Sequence, residues 1–298
     1  MVDIPHNKRP TDMDYQDIID PHVHFFALEK GNYQWLKSTQ PPFWPDKHLI
    51  QKNVSDADLT LCSALRLNGV VHIEAGFDNE YPERELAYLN DTVKRVSHKA
   101  IAYLDITLEP TLFSEKIRQY QTHGNFVGIR DITEGEDAQR LHHSNVVKNL
   151  AFLAHEGLIF EAQFEIAQLA TTQTLRAYCV ALPNLKCVIN HCGLVTPDTF
   201  ASWQLALHIL KGLDNLWVKI SGFEMAQRQF NAKWVQTVTD ALLQTINSEH
   251  LMFASNFPLC LLSQPYHQLW QLYSELTLPD HAWTLMGYHN AQRLYQLA

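Results

Sequence analysis

Eight short apolar runs, separated by longer amphipathic segments, are the feature that most constrains the fold of this chain. The predicted strands are residues 17–24, 69–75, 100–105, 126–130, 158–163, 186–191, 216–221 and 250–255. Near-continuous apolar strands that alternate with helices are typical of a parallel sheet covered by helices on its outer face. Eight such units predict an α/β fold, a closed (β/α)8 TIM barrel rather than an open doubly wound sheet.

The segments between the strands show helical spacing. In residues 82–96, Leu86, Leu89 and Val93 recur on one helical face, and residues 197–210 open with a Pro-Asp pair that is typical of a helix start. We therefore expect helices in both segments. The regular alternation along 298 residues, 46% of them hydrophobic, predicts a single domain over residues 1–298.

Charge and cysteine content exclude several classes of protein. A net charge of −9 without a Lys/Arg cluster argues against nucleic-acid binding. Five cysteines without a Cys-x-x-Cys pair indicate a reduced compartment, with the cytoplasm as the expected location. Residues 1–16 form a polar leader without the apolar core of a signal peptide, and no run of 18 apolar residues predicts a membrane span.

Polar residues collect where the predicted strands end. They are His22, His24, Glu74, Asp105, Arg130, Asp131, Glu161, Gln163, Asn190, His191, Lys219, Ser221, Ser255 and Asn256. The carboxyl ends of barrel strands are where TIM-barrel active sites lie. Any one of these residues could instead be a helix cap or a buried ion pair, but eight polar strand ends together predict an active site there.

The pair His22 and His24 ends the first strand. Residues at i and i+2 of a strand project from the same side, so both rings could hold one metal ion or one substrate oxygen. On a solvated edge strand the same pattern would carry no function. His72, inside the second strand, is interpreted as a paired residue of the barrel rather than a ligand.

Seven motifs in order resemble one known family. They are Ile-Ile-Asp-Pro-His-Val-His-Phe-Phe at 18–26, Val-His-Ile-Glu-Ala-Gly-Phe-Asp at 71–78, Val-Gly-Ile-Arg at 127–130, Ile-Asn-His-Cys-Gly at 189–193, Val-Lys-Ile-Ser-Gly at 218–222, Met-Phe-Ala-Ser-Asn-Phe-Pro at 252–258 and His-Asn-Ala-Gln-Arg-Leu-Tyr at 289–295. Together they resemble the amidohydrolase-related family of metal-dependent TIM-barrel hydrolases. The resemblance is closest to its sugar-lactone and 2-pyrone-4,6-dicarboxylate lactonase branch.

The resemblance implies roles for four residues. His22, His24 and His191 would be metal ligands, or hydrogen-bond donors to the substrate carbonyl in lactonases that work without a metal. Arg130 matches an arginine whose planar fork suits a substrate carboxylate. The structural alternative for Arg130 is a core salt bridge to Asp131 or Glu161.

Two departures from the family pattern alter these expectations. Strand five offers Gln163 in place of a histidine, and an amide is a poor zinc ligand, so a divalent metal such as zinc is expected to be weakly held or dispensable. Strand eight carries Asn256 where the family usually has the aspartate that takes a proton from water. An amide cannot accept that proton near neutral pH.

Three functional hypotheses follow. In the first the protein is a hydrolase that opens a lactone: His22 and His24 polarise the carbonyl, Asn256 positions water, and His191 is the first candidate for the base, with Glu74 or Asp105 as alternatives. In the second it is a non-hydrolytic decarboxylase. In the third it is a catalytically degenerate barrel that binds a small ligand.

An aromatic and proline-rich segment, residues 26–52, is predicted to be a lid over the site. It follows the strand that carries the histidines and contains Trp35 and Trp44. The alternative is a satellite core on the outer surface. Arg130, Gln163, Glu74 and Trp44 are the predicted substrate-binding residues. The expected partner is a small-molecule carboxylate or lactone, and a homo-oligomer is compatible with the sequence.

Overall fold

Eight parallel strands in sequential order form the barrel in this computed structural model, which describes residues 15–297. They are β1 Gln16–Val23, β2 Leu65–Ile73, β3 Ser97–Tyr103, β4 Phe126–Ile132, β5 Ile159–Gln163, β6 Lys186–Ile189, β7 Leu216–Ile220 and β8 Leu251–Phe253. A parallel bridge between Val23 and Phe257 joins the end of β8 to β1. The predicted TIM barrel is therefore confirmed. The polar leader, residues 1–16, lies outside the described residues except for its last two.

Helices follow the strands around the outside of the barrel. They are α1 Glu83–Thr92, α2 Pro110–Tyr120, α3 Val146–Glu156, α4 Leu169–Ala181, α5 Phe200–Leu210, α6 Phe223–Ala226, α7 Ala232–Thr245, α8 Tyr266–Ser274, α9 Ala282–Thr284 and α10 Asn290–Tyr295. Both helices that we predicted are present but shorter. The first ends at Thr92 because Val93 is extended and leads into β3, and the second begins only at Phe200.

The amino-terminal end of the barrel is plugged by the last helix. Tyr295 of α10 packs in an apolar cluster with Ile19, Ile73 and Met252 from the strands. Its hydroxyl donates a 2.7 Å hydrogen bond to Glu161 Oε1 inside the barrel. A filled end leaves only the carboxyl end of the strands open to a ligand, as in other barrels of this type.

The predicted lid, residues 26–52, crosses the open end and contains no α-helix. Trp35 Nε1 donates a 2.8 Å hydrogen bond to the carbonyl of Ala75, just beyond β2. Lys47 is buried, and its ammonium group donates to three carbonyls of the lid, those of Trp35 at 2.8 Å, Lys37 at 3.1 Å and Gln40 at 2.8 Å. The lid therefore contains an internal cluster of hydrogen bonds around a buried ammonium group.

A second contact ties the lid to the chain after β7. Arg228 Nε donates to Asp46 Oδ2 at 2.6 Å, and its guanidinium lies 5.0 Å from the centre of the Trp44 ring. Because both ends of this contact are partly exposed, we expect it to contribute modestly to stability. It fixes the direction in which Trp44 approaches the open end of the barrel.

Two further expectations concern cysteines and membranes. All five cysteines are free, and four of them are buried. Among residues 15–297, no helix is both long enough and apolar enough to cross a bilayer.

The buried ammonium group of Lys47 can be tested by replacing it. Lys47→Met keeps the length of the side chain but leaves three carbonyls without their donor, and hydrogen bonds of charged groups each contribute about 1.5–3 kcal/mol. We expect a lower melting temperature and faster proteolytic cleavage within residues 33–50. Lys52→Met, at an exposed lysine of the same segment, is the matched control. Equal stability of both variants would contradict this role of Lys47.

Candidate active site

A cavity of about 790 Å³ opens at the carboxyl end of the strands. Seven of the predicted site residues line it: His24, Trp44, Glu74, Arg130, Gln163, His191 and Asn256. They come from β1, the lid and the ends of β2, β4, β5, β6 and β8. The structure thus brings together residues that lie more than 230 positions apart in the sequence.

His22, by contrast, lies beneath the cavity wall. Its ring centre is 5.0 Å from that of His24 and 4.4 Å from that of His191, and it is fully buried. The pairing of β1 with β2 shifts between Asp20 and Val23, where Asp20 Oδ1 accepts from the backbone N–H of His22 at 3.2 Å. His22 lies at this irregularity and does not line the cavity, where direct contact with a substrate was expected.

The hydrogen bonds of His24 fix its tautomer. His24 Nδ1 lies 2.8 Å from the carbonyl oxygen of Ile73, which can only accept, so Nδ1 carries the proton. Burial lowers the pKa of His24 well below its ordinary value, so the ring is neutral near pH 7. Its other nitrogen, Nε2, therefore presents a lone pair at the cavity.

His22 has the opposite tautomer. Its Nδ1 faces the ammonium group of Lys219 at 3.5 Å, and Lys219 also donates to Glu161 Oε2 at 2.6 Å. At 3.5 Å this contact is at the limit of a hydrogen bond, but an ammonium group repels an N–H and therefore favours the tautomer of His22 with the lone pair on Nδ1 and the proton on Nε2. This Nε2 atom is buried without a hydrogen-bond partner.

These donors do not fit the predicted zinc site on His22, His24 and His191. A zinc ligand must offer its lone pair, and the lone pair of His22 points at Lys219 instead. No group of three His, Cys, Asp or Glu side chains among residues 15–297 is arranged to hold a metal ion.

His191 lies in the cavity wall on a strained backbone. Its φ of 53° is in the left-handed region, which non-glycine residues seldom adopt. Its Nδ1 is 2.9 Å from the hydroxyl of Ser221 at the end of β7, and burial lowers the pKa of the ring well below its ordinary value. Strain of this kind is common where a side chain must be aimed at a ligand.

Asn256 connects His24 to a carboxylate that sequence reasoning missed. Its Oδ1 lies 3.3 Å from His24 Nε2, and its Nδ2 donates a 2.6 Å hydrogen bond to Glu224 Oε1. Glu224 is buried in α6, and burial raises the pKa of its carboxyl to about 7. The available signal was an acidic residue three positions after the predicted strand seven, which is the neighbour of strand eight, where the usual aspartate is missing.

Arg130 is committed to other residues of the site. Its Nε and Nη2 donate to Glu74 Oε1 at 2.9 and 2.7 Å, Nη2 also reaches the Glu74 carbonyl, and Nη1 donates to Gln163 Oε1 at 2.7 Å. Both salt-bridge partners considered from the sequence were therefore wrong. Asp131 pairs with Arg140 and Glu161 pairs with Lys219, because each carboxylate is taken by a cation nearer to it in the barrel.

The remaining charges of the cavity wall are mostly acidic. Arg140 is held by Asp131 at 2.6 Å and by Asp105 at 2.7 Å. Asp105 itself does not line the cavity, which removes it from the candidate bases. The charged residues in the wall are the carboxylates Glu74, Asp131, Glu134 and Glu165 and the guanidiniums Arg130 and Arg140. Within the described part of the chain, the wall thus has four carboxylates and two guanidiniums, and both guanidiniums are already paired with carboxylates.

Curated relatives cover most of the chain. The uncharacterized protein y4mH of Sinorhizobium fredii is 27% identical over 278 residues, which are 88% of this chain and 91% of the relative. The L-fucono-1,5-lactonase of Burkholderia multivorans is 22% identical over 266 residues, which are 84% of this chain and 85% of the relative.

Solved structures share the fold at low identity. An amidohydrolase from Burkholderia multivorans with bound zinc has a TM-score of 0.76 at 19% identity, covering 94% of this chain and 99% of its own. A putative 2-pyrone-4,6-dicarboxylic acid hydrolase from Pseudomonas putida has a TM-score of 0.66 at 18% identity, with coverage of 95% and 98%. A 2,6-dihydroxybenzoate decarboxylase has a TM-score of 0.65 at 14% identity, with coverage of 95% and 99%.

A family model described as amidohydrolase matches residues 19–297. The match covers all eight strands except the first three residues of β1. The match extends from the histidine pair to the helix that plugs the barrel. This chain belongs to the amidohydrolase family.

Proposed function

We propose that this protein hydrolyses a neutral, hydroxylated lactone. The observation that carries the proposal is the pair of acceptors formed by His24 Nε2 and Asn256 Oδ1, 3.3 Å apart at the cavity. Two acceptors side by side call for a molecule with two donors, and water is the smallest such molecule. A water held there would keep its remaining lone pairs for an electrophilic carbon.

The reaction then needs only groups of this chain. As the water oxygen attacks the lactone carbonyl carbon, His24 Nε2 accepts its proton. The hydroxyl of Ser221 can donate a hydrogen bond to His191 Nδ1, so that the proton of the neutral His191 ring is on Nε2. This N–H group stabilises the developing oxyanion. When the ring C–O bond breaks, the His24 imidazolium returns the proton to the leaving alkoxide, and a hydroxy acid is released.

The charges of the cavity support a neutral substrate over a carboxylate. Arg130 and Arg140 are both neutralised by carboxylates of the site, and the wall has two further acids, Glu134 and Glu165. A substrate carboxylate would meet repulsion there rather than a free cation. This argues against a pyrone dicarboxylate and against the decarboxylase hypothesis, and it departs from the role of carboxylate anchor first given to Arg130.

Gly222 supports the placement of His191 in this mechanism. It lies between β7 and α6 with φ +75°, and a Cβ atom there would lie 2.6 Å from both Cβ and Cγ of His191. Only glycine lets the chain pass this close to the ring. The position of His191 at the cavity therefore depends on this turn.

The central test is turnover of a panel of sugar 1,4- and 1,5-lactones, followed by proton release. We expect hydrolysis by the wild type, and a loss of about 10²–10⁴-fold in kcat/KM in His24→Asn, which retains a donor for the Ile73 carbonyl but lacks the accepting nitrogen. His155→Asn, at an exposed histidine of α3, is the matched control. Ligand-induced thermal shifts without turnover of any lactone would overturn the proposal in favour of a binding barrel.

Substrate charge gives a second prediction. We expect kcat/KM for neutral lactones to exceed that for 2-pyrone-4,6-dicarboxylate by roughly 100-fold or more, because repulsion of a few kcal/mol would oppose the second substrate. Competition experiments with both substrates provide the ratio directly. A preference for the dicarboxylate would show that the paired arginines are released on binding.

The turn beneath His191 gives a third prediction. Gly222→Ala and Gly212→Ala both place a side chain at positive φ, +75° and +78°, so both carry a similar backbone cost of about 1 kcal/mol. Only the first collides with His191, since nothing lies within 4 Å of a Cβ at Gly212. We expect kcat/KM to fall on the order of 100-fold in Gly222→Ala and to stay near wild type in Gly212→Ala. Equal activities would contradict the role given to His191.

A further inference from the structure

Glu224 is a buried carboxyl that the mechanism above does not use. It follows the β7 turn in α6, is 1% exposed and does not line the cavity. Its Oε1 nevertheless accepts a 2.6 Å hydrogen bond from Asn256 Nδ2. Strand eight has no aspartate at position 256, but the carboxyl group of Glu224 lies directly behind the Asn256 amide.

An amide has one donating and one accepting end, so its neighbours decide which way it points. Ionised Glu224 can only accept, and this turns Nδ2 of Asn256 away from the cavity and Oδ1 toward His24. With a neutral carboxyl at this position the amide could reverse and donate to His24 Nε2. The nitrogen that should take a proton from water would then be occupied.

We propose that Glu224 is a positioning residue that orients the Asn256 amide, so that Asn256 Oδ1 and His24 Nε2 together hold the nucleophilic water. This inference rests on the proposed lactone hydrolysis for its catalytic consequence. The orientation itself follows from the hydrogen bonds alone.

Among Glu224 and the groups around it, the carboxyl of Glu224 is the one expected to titrate near neutral pH. Arg228 donates to its backbone carbonyl, and the thiols of Cys192 and Cys260 and the phenol of Tyr273 lie nearby with pKa values raised by burial. Burial raises the pKa of Glu224 itself to about 7. Because the ionised form orients the amide, kcat should decrease as the pH falls through about 7.

The test is a double-mutant cycle of Glu224→Gln and Asn256→Asp, with kcat, KM and melting temperature measured for all four proteins at a pH of about 8 and kcat also followed against pH. Glu115→Gln, at an exposed glutamate of α2, is the control for loss of a surface carboxylate. The amide introduced by Glu224→Gln can present either of its ends, so it no longer dictates the orientation of Asn256. The carboxylate introduced by Asn256→Asp needs no orientation, but it lies in contact with the carboxyl of Glu224.

We expect Glu224→Gln to lower kcat roughly 10–100-fold with little change in KM and to remove the fall of kcat near pH 7. Asn256→Asp should have a lower melting temperature than wild type because of the paired carboxylates. The double variant should regain both stability and kcat, since the glutamine amide at position 224 can donate to the aspartate carboxylate at position 256. Glu115→Gln should resemble the wild type throughout.

Three results would overturn the proposal. One is that the two substitutions affect kcat independently, so that Glu224→Gln lowers kcat by the same factor whether residue 256 is asparagine or aspartate. Another is a lower melting temperature in Glu224→Gln with unchanged kcat and pH profile, which would indicate a purely structural carboxyl. The third is that the changes in melting temperature caused by the two single substitutions simply add in the double variant. If no lactone is turned over by the wild type, lactone hydrolysis fails, whereas the melting temperatures still decide whether Glu224 and Asn256 act as a unit.

Discussion

Buried charge at the carboxyl end of the barrel determines how the other polar groups there can behave. An ionised side chain removed from water needs a partner, and the structure supplies a carboxylate for each buried cation inside the barrel: Glu74 for Arg130, and Glu161 for Lys219. Once these pairs are formed, neither Arg130 nor Lys219 remains free to attract a substrate anion. Burial, reinforced by the positive charges of Arg130 and Lys219, lowers the pKa values of the three site histidines, so that the rings act as neutral donors and acceptors.

Tautomers follow from the same pairs and separate the two histidines of the His-x-His motif. The ammonium group of Lys219 faces Nδ1 of His22 and favours the His22 proton on Nε2, whereas the carbonyl of Ile73 takes the Nδ1 proton of His24 in a hydrogen bond and leaves the lone pair on Nε2. Two residues that look equivalent in sequence therefore have opposite hydrogen-bonding properties. His24 faces the cavity as an acceptor, and His22 supports it from below.

Local patterns were enough to predict the fold and to bring most of the candidate residues to one cavity. Strand periodicity and polar strand ends placed His24, His191, Arg130 and Asn256 at one end of a barrel, where the structure has them. Periodicity does not report which buried groups pair, because partners come from different strands and from the turns beyond them. The partner of Arg130 is Glu74, 56 residues away and just beyond β2, and His22, at an irregularity in β1, lies outside the cavity wall.

The amide at strand eight is consistent with this electrostatic balance. The wall already has four carboxylates and two paired guanidiniums, so an aspartate at position 256 would add a further charge beside Glu224. Like charges in contact would force one of the two acids to stay protonated. With Asn256 the carboxylate of Glu224 lies one layer deeper and the amide carries its acceptor end to the cavity, beside His24, the base of the proposed mechanism. In the proposed mechanism the base therefore lies on strand one rather than on strand eight, and the histidine pair supplies a route for the proton that does not need an aspartate at position 256.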